Sequence, residues 1–144
     1  MTDLNELFLI DTNILVYAYE RETSVKKKKA EGLIGKCFNG IINLVVSNQN
    51  LSEFVFVTTK KANLSSNQAK LIVDDIINIG CFRKIDYSAE TILSAIEITD
   101  IYKVPFWDSL IAATMKENGI FNIYTENVKD FKIPWINAVN PFSK

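Results

Sequence analysis

Short apolar runs alternate with longer stretches of helical periodicity along this chain. "LFLI" (residues 7–10) is four apolar residues in a row, the length of a short buried strand. It stops at Asp11, Thr12 and Asn13. From Asn13 to about Glu22 the pattern predicts a helix. Ser24 is placed to cap a second helix running to Asn39, with Gly40 as its stop. Ala30, Leu33, Ile34, Cys37 and Phe38 recur there at the 3,4 spacing of one helical face. "IINLVV" (41–46) predicts a second strand. Ser47 then caps a helix carrying Leu51, Phe54, Val55 and Thr58 on one side.

The alternation continues to the end. Ser65 or Ser66 opens a helix that turns Ala69, Ile72, Val73, Ile76 and Ile77 inward, with Gly80 after its end. "CFRKID" (81–86) is a weaker strand signal. Ser88 caps a helix through about Tyr102. Pro105 suits the first turn of the next helix, and Gly119 ends it. "IFNIYT" (120–125) and "INAV" (136–139) complete the strands. No linker, repeat or low-complexity segment interrupts the pattern. Repeated β–α alternation over 144 residues predicts one domain, residues 1–144. Its class is three-layer α/β/α with a mainly parallel sheet.

Composition narrows the chemistry. A chain of this size buries roughly 70% of its unfolded surface, so no disulfide or structural metal is needed. The two cysteines, Cys37 and Cys81, form neither a disulfide framework nor a zinc pattern. There is no histidine, which removes His triads, His-ligated zinc and imidazole acid–base chemistry. A net charge of −1 leaves any nucleic-acid binding to local patches. No apolar run approaches the ~18 residues of a membrane span. The first residues are acidic and lack a signal-peptide pattern, so a cytoplasmic protein is expected.

The acids then form a pattern. Asp11 sits just past the first strand. Glu53 lies in the helix after the second strand, and Asp108 in the first turn of the helix begun by Pro105. Glu126, Asn127 and Asp130 follow the "IFNIYT" strand. Parallel α/β sheets bind ligands outside the carboxyl ends of their strands. Three of these four places map to that edge directly; Glu53 needs its helix to lean across. Converging carboxylates repel unless protonated or neutralised by cations. The nearest basic neighbours are Lys103, Lys116 and Lys129. An all-oxygen set suits Mg²⁺ or Mn²⁺, which activates water and holds a phosphate oxygen.

Each acid also has a plainer reading. Asp11 could cap a helix, Asp108 could complement a helix dipole, Glu53 could be exposed and Asp130 could be a turn acid. Their agreement in location favours the joint site. "KKKK" (26–29) and "KK" (60–61) are either solvated faces or phosphate contacts. Trp107 could pack in the core or a dimer, or stack on a base. The apolar face of the helix from Ser65 to Ile79 could be core, dimer surface or partner groove.

"LFLIDTNILVYA", "VVSNQNLSEF", "VPFWDSLIAATMKENG" and "IYTENVKDF" stand in the order and spacing of the PIN domain. The chain resembles that family over essentially its whole length, and within it the VapC-type toxins of toxin–antitoxin pairs. The resemblance implies that Asp11, Glu53 and Asp108 are the first three metal-binding acids. Asn127 falls where an acid or amide stands in the family, and Asp130 precedes Phe131; Asp130, Asn127 or Glu126 completes the set. Thr12, Asn13 and Thr125 match positions that support the first acid. The resemblance further implies an endoribonuclease needing Mg²⁺ or Mn²⁺, an RNA substrate, a homodimer and a cognate antitoxin. The alternatives are a non-catalytic module, favoured by the uncharged Asn127, and an acidic-crevice phosphatase, disfavoured because "DTN" lacks a second acid.

Overall fold

The computed structural model describes residues 6–61, 64–78 and 80–143. Residues 1–5, from the acidic start, and Ile79, at the expected end of one helix, lie outside them. The elements follow in chain order: β1 (Leu7–Ile10), α1 (Thr12–Ala18), α2 (Val25–Phe38), β2 (Asn43–Ser47), α3 (Asn48–Lys60), α4 (Ser66–Asn78), β3 (Phe82–Ile85), α5 (Ala89–Tyr102), α6 (Phe106–Glu117), β4 (Asn122–Tyr124), a 3-10 turn (Val128–Phe131) and β5 (Asn137–Val139). The five strands lie in the order β3-β2-β1-β4-β5, all parallel.

That order creates a switch point. The chain winds outward from β1 through β2 to β3, then returns to place β4 on the other side of β1. Connections leaving β1 and β4 therefore diverge and open a crevice at their carboxyl ends. Asp11 and the segment after Tyr124 both stand at that opening. The Asp11 amide extends the ladder by donating to the Tyr124 carbonyl at 2.9 Å.

Alternation along the strands divides the core. Ile10, Leu44, Val46 and Phe82 face one side, where α1 to α4 supply Ile14, Leu15, Ala30, Ile34, Leu51, Phe54 and Ile76. Leu9, Val45, Ile85 and Ile123 face the other and meet Ile111 and Met115 of α6. Helix α5 packs outside α6 through Ala95 and Ile98. Strands buried on both faces read as continuous apolar runs, as "LFLI" does. The result is the expected three-layer α/β/α arrangement.

Several boundaries differ from the periodicity. Helix α1 ends at Ala18, because the charged 20–22 stretch, half-buried at Glu20 and exposed at Arg21 and Glu22, offers no further apolar face. Pro105 is the N-cap of α6 and lies outside its first turn. Phe38, Val55 and Ile77, assigned inward, are 58%, 37% and 46% exposed. Each sits at the margin of its apolar stripe, where helical spacing alone does not separate core from surface.

Candidate active site

The carboxyl edge of the sheet carries an open cleft of about 830 Å³. Asp11, Thr12, Asn13, Glu53, Asp108, Asn127 and Asp130 all line it. Each arrives by a different local route. Asp11 caps α1 in extended conformation, so the helix-cap reading and the site reading hold together. Glu53 lies in the second turn of α3. Asp108 is in the first turn of α6, beyond Pro105, whose ring pre-sets the helical entry. Asp130 comes from the 3-10 turn after β4.

Asp11 is 7% exposed and both its oxygens are engaged. The Thr12 amide donates to Oδ1 at 2.8 Å and the Thr125 hydroxyl to Oδ2 at 2.8 Å. The Asn127 amide in turn donates to the Thr125 oxygen at 3.0 Å. On the other side, the Thr12 hydroxyl donates to Glu53 Oε1 at 3.0 Å and accepts from Asn50 Nδ2 at 3.1 Å. Asn50 is fully buried and closes the capping box with Ser47 that starts α3. One chain of hydrogen bonds thus runs from Ser47 through Asn50 and Thr12 to Glu53, while Asp11 is fixed by the adjacent backbone and Thr125.

Asp108 differs. Among the described residues no hydrogen bond reaches its carboxylate. Burial first, then the charges of Asp11, Asp130 and Glu53, push its pKa up to about 7. Burial also raises Asp11, outweighing the lowering by its bonds to Thr125 and Thr12, and Asp130 adds to the rise. Glu53 is raised by burial and by Asp11, against its bonds to Thr12 and Gln49. The four acids therefore share one electrostatic environment. No Lys or Arg lines the cleft among the described residues. Lys103 pairs with Asp100 at 3.8 Å, and Lys116 lies 5.2 Å from the Trp135 ring centroid. Among the described residues, no three cysteine, aspartate or glutamate side chains are drawn together closely enough to hold an ion as they stand.

Glu126 is turned away from this cluster. It accepts from the Tyr17 hydroxyl at 3.0 Å and forms an ion pair with Lys26. Of the basic run at 26–29, Lys27 also reaches the Ala18 carbonyl and Lys29 the Phe142 carbonyl, so the run is partly a structural strap. Trp107 is 61% exposed at the cleft and is not core. Gln49, Asn50, Asp86 and Tyr87 are further site-side residues. The "SNQN" capping pattern and the position of "DY" just past β3 are signals that could have found them.

The PIN domain family model matches residues 8–132. The chain belongs to the PIN domain family. Its fold is that of VapC toxins. It is similar to the Mycobacterium tuberculosis VapC20, a sarcin-ricin loop cleaving toxin, at a TM-score of 0.70 and 16% identity, covering 90% of this chain and 96% of that one. It is similar to a chain of a toxin–antitoxin complex from Klebsiella pneumoniae at 0.66 and 21%, covering 93% and 97%. A stretch of 123 residues, 85% of the chain, is 28% identical to a DNA-directed RNA polymerase subunit beta of Helicosporidium sp. subsp. Simulium jonesii, and spans 8% of that protein's length.

Proposed function

We propose that this chain is a divalent-metal-dependent endoribonuclease and the toxin of a toxin–antitoxin pair. One observation carries the reading. Four carboxylates share a cleft at the switch point of the sheet, with no basic side chain among the described residues to neutralise them. An all-oxygen donor set with an unsatisfied, raised-pKa Asp108 fits a hard cation better than any other partner. Asp11, Asp108 and Asp130 would hold Mg²⁺ or Mn²⁺, with Glu53 beside them and Asn127 contributing more weakly. Such an ion supplies an acidified water and polarises a phosphate oxygen.

The chain's own residues supply the positioning. Thr12 and Thr125 hold the Asp11 carboxylate in one orientation. Asn50 orients the Thr12 hydroxyl so that it donates to Glu53. Asn13 stands at the rim of the same cleft. The likeness to a sarcin-ricin loop cleaving toxin supports RNA as substrate, and the likeness to a toxin–antitoxin complex supports an antitoxin partner. A homodimer and a cytoplasmic location belong to the same reading; no helix among the described residues is long and apolar enough to cross a membrane.

The test is cleavage of structured and single-stranded RNA by the purified chain with Mn²⁺ or with chelator. Metal-dependent cuts that vanish in Asp108→Asn support the proposal. A chain that binds no Mn²⁺ and leaves every RNA intact would instead be the non-catalytic module.

A further inference from the structure

Two large aromatic side chains stand exposed in the acidic cleft, each from a different helix. Trp107 immediately precedes Asp108 on α6 and is 61% exposed. Phe56 follows Glu53 by three residues, so it shares that face of α3, and is 63% exposed. Tyr87 joins them from beyond β3. Lys60 lies 5.4 Å from the Phe56 ring centroid and sets a cation beside that ring. Large apolar surfaces left in water around a polar cleft call for a ligand with flat apolar faces.

A second observation concerns Gln49, which lines the same cleft and is 6% exposed. Its Nε2 donates to the Trp107 carbonyl at 3.0 Å. A carbonyl can only accept, so this bond fixes which end of the amide is nitrogen. Oε1 is then the free acceptor; it is closed to solvent and meets no hydrogen-bond partner among the described residues. A buried acceptor without a donor is costly. A site built to bond an N–H discriminates sharply against ligands that lack one.

Resting on the ribonuclease reading above, we infer that Trp107, Phe56 and Gln49 form a subsite for one unpaired nucleobase of the substrate. The rings stack on the base, and the Gln49 side chain shifts to bring its shielded Oε1 into the cleft, where it accepts from an N–H on the base's Watson–Crick edge. That edge is free only outside a duplex, so the subsite selects single-stranded or flipped-out nucleotides. The donor is either an exocyclic amino group or a ring N–H.

The chain holds two tryptophans, Trp107 and Trp135. Trp135→Phe therefore leaves Trp107 as the sole indole reporter, and Asp108→Asn prevents cutting. Short single-stranded RNA should quench Trp107 emission in this background. Replacing the bases by abasic residues should abolish the quench and weaken binding by roughly tenfold. Adenosine against purine riboside removes an amino donor; uridine against N3-methyluridine removes a ring N–H. One of these pairs should lose about three- to tenfold in affinity, which identifies the donor. Gln49→Met should erase that difference while Trp107 quenching persists. If Gln49→Met does not fold, the analogue series on the Gln49 chain still decides.

Equal quenching by abasic strands, or no loss in either analogue pair, overturns the subsite. Quenching by an apolar peptide and by no RNA also overturns it and marks a protein-docking face. Base-dependent quenching in a chain whose native form cuts nothing supports the subsite and removes only the ribonuclease reading.

Discussion

The two walls of the cleft are built differently. On the β1–α3 side, Asp11 and Glu53 are held by Thr12, Thr125 and, through Thr12, Asn50. On the α6 side, Asp108 receives no hydrogen bond among the described residues, and its pKa rises to about 7. Carboxylates that accept hydrogen bonds are partly compensated for their burial. A bare one keeps its lone pairs free and its burial uncompensated; on the proposed reading, a bound cation would relieve that cost. The held wall serves the fold and the site together, whereas the bare wall serves the site at the expense of the fold.

Asp108→Asn separates these roles most sharply. The change is nearly isosteric and removes only the charge. RNA cleavage should fall by at least about a hundredfold, the scale of losing a group that stabilises transition-state charge. Metal-free stability should hold or rise, because three repelling neighbours lose their partner. On the held wall, Asp11→Ala should lose cleavage as well but also destabilise the chain. It leaves the Thr12 amide and the Thr125 hydroxyl without an acceptor, at about 1–3 kcal/mol. Denaturant titration of both variants beside the RNA assay reads the contrast. Equal stability changes on the two walls would break it.

Adding Mn²⁺ should stabilise the unaltered chain by about 2.7 kcal/mol at a hundredfold excess over the dissociation constant. The melting temperature reports this directly. In Asp108→Asn the response should be largely lost.

A smaller effect should appear with pH in chelator. In the folded chain Asp108 keeps its proton up to about pH 7, while its ordinary value is 3.8. Between those values the folded state binds more protons than the unfolded state. Stability must therefore fall as pH rises through that window, and level off above it. Each pKa unit is worth about 1.4 kcal/mol; solvent access to Asp108 reduces the total to about 1–2 kcal/mol. The raised values of Asp11 and Glu53 act in the same direction. Melting temperatures at pH 5 and pH 8 check the sign, and Asp108→Asn should flatten the slope.

Much of this arrangement was legible in the chain. Short strand signals, "CFRKID" the weakest of them, match the five strands of the described residues, and Ser24, Ser47 and Ser88 marked three helix starts that the structure keeps. Strand-end positions pointed to Asp11 and the segment after β4, and a helix-start position to Asp108; all three line the cleft. Side-chain direction was not legible. Nothing in "TENVKDF" shows that Glu126 turns toward α1 and α2 while Asp130 turns toward the cleft, because a 3-10 turn intervenes. Trp107 read more readily as core or dimer packing than as a base-stacking residue, and its place in the first turn of α6 leaves it 61% exposed. Gln49 and Asn50 looked like ordinary polar residues of a capped helix start. Their roles depend on Thr12 and Trp107, which are distant in sequence and adjacent only after folding.

The smallest effect belongs to the residue that both walls exclude. Glu126 lies within four residues of Asp130 but is engaged by Tyr17 and Lys26. If it belonged to the metal set, Glu126→Gln would weaken Mn²⁺ binding and cleavage as Asp108→Asn does. If it is a surface tie between α2 and the turn after β4, the amide still accepts from Tyr17. Only the partly exposed ion pair with Lys26 is then lost, worth about 0–1 kcal/mol. Cleavage should stay within about twofold of the unaltered chain, since the acids that share the cleft are untouched. High salt should mask even the stability change, because it screens an exposed pair. A large loss of cleavage in Glu126→Gln, with the Mn²⁺ response gone, would move Glu126 into the cleft and require the turn after β4 to rearrange when metal binds.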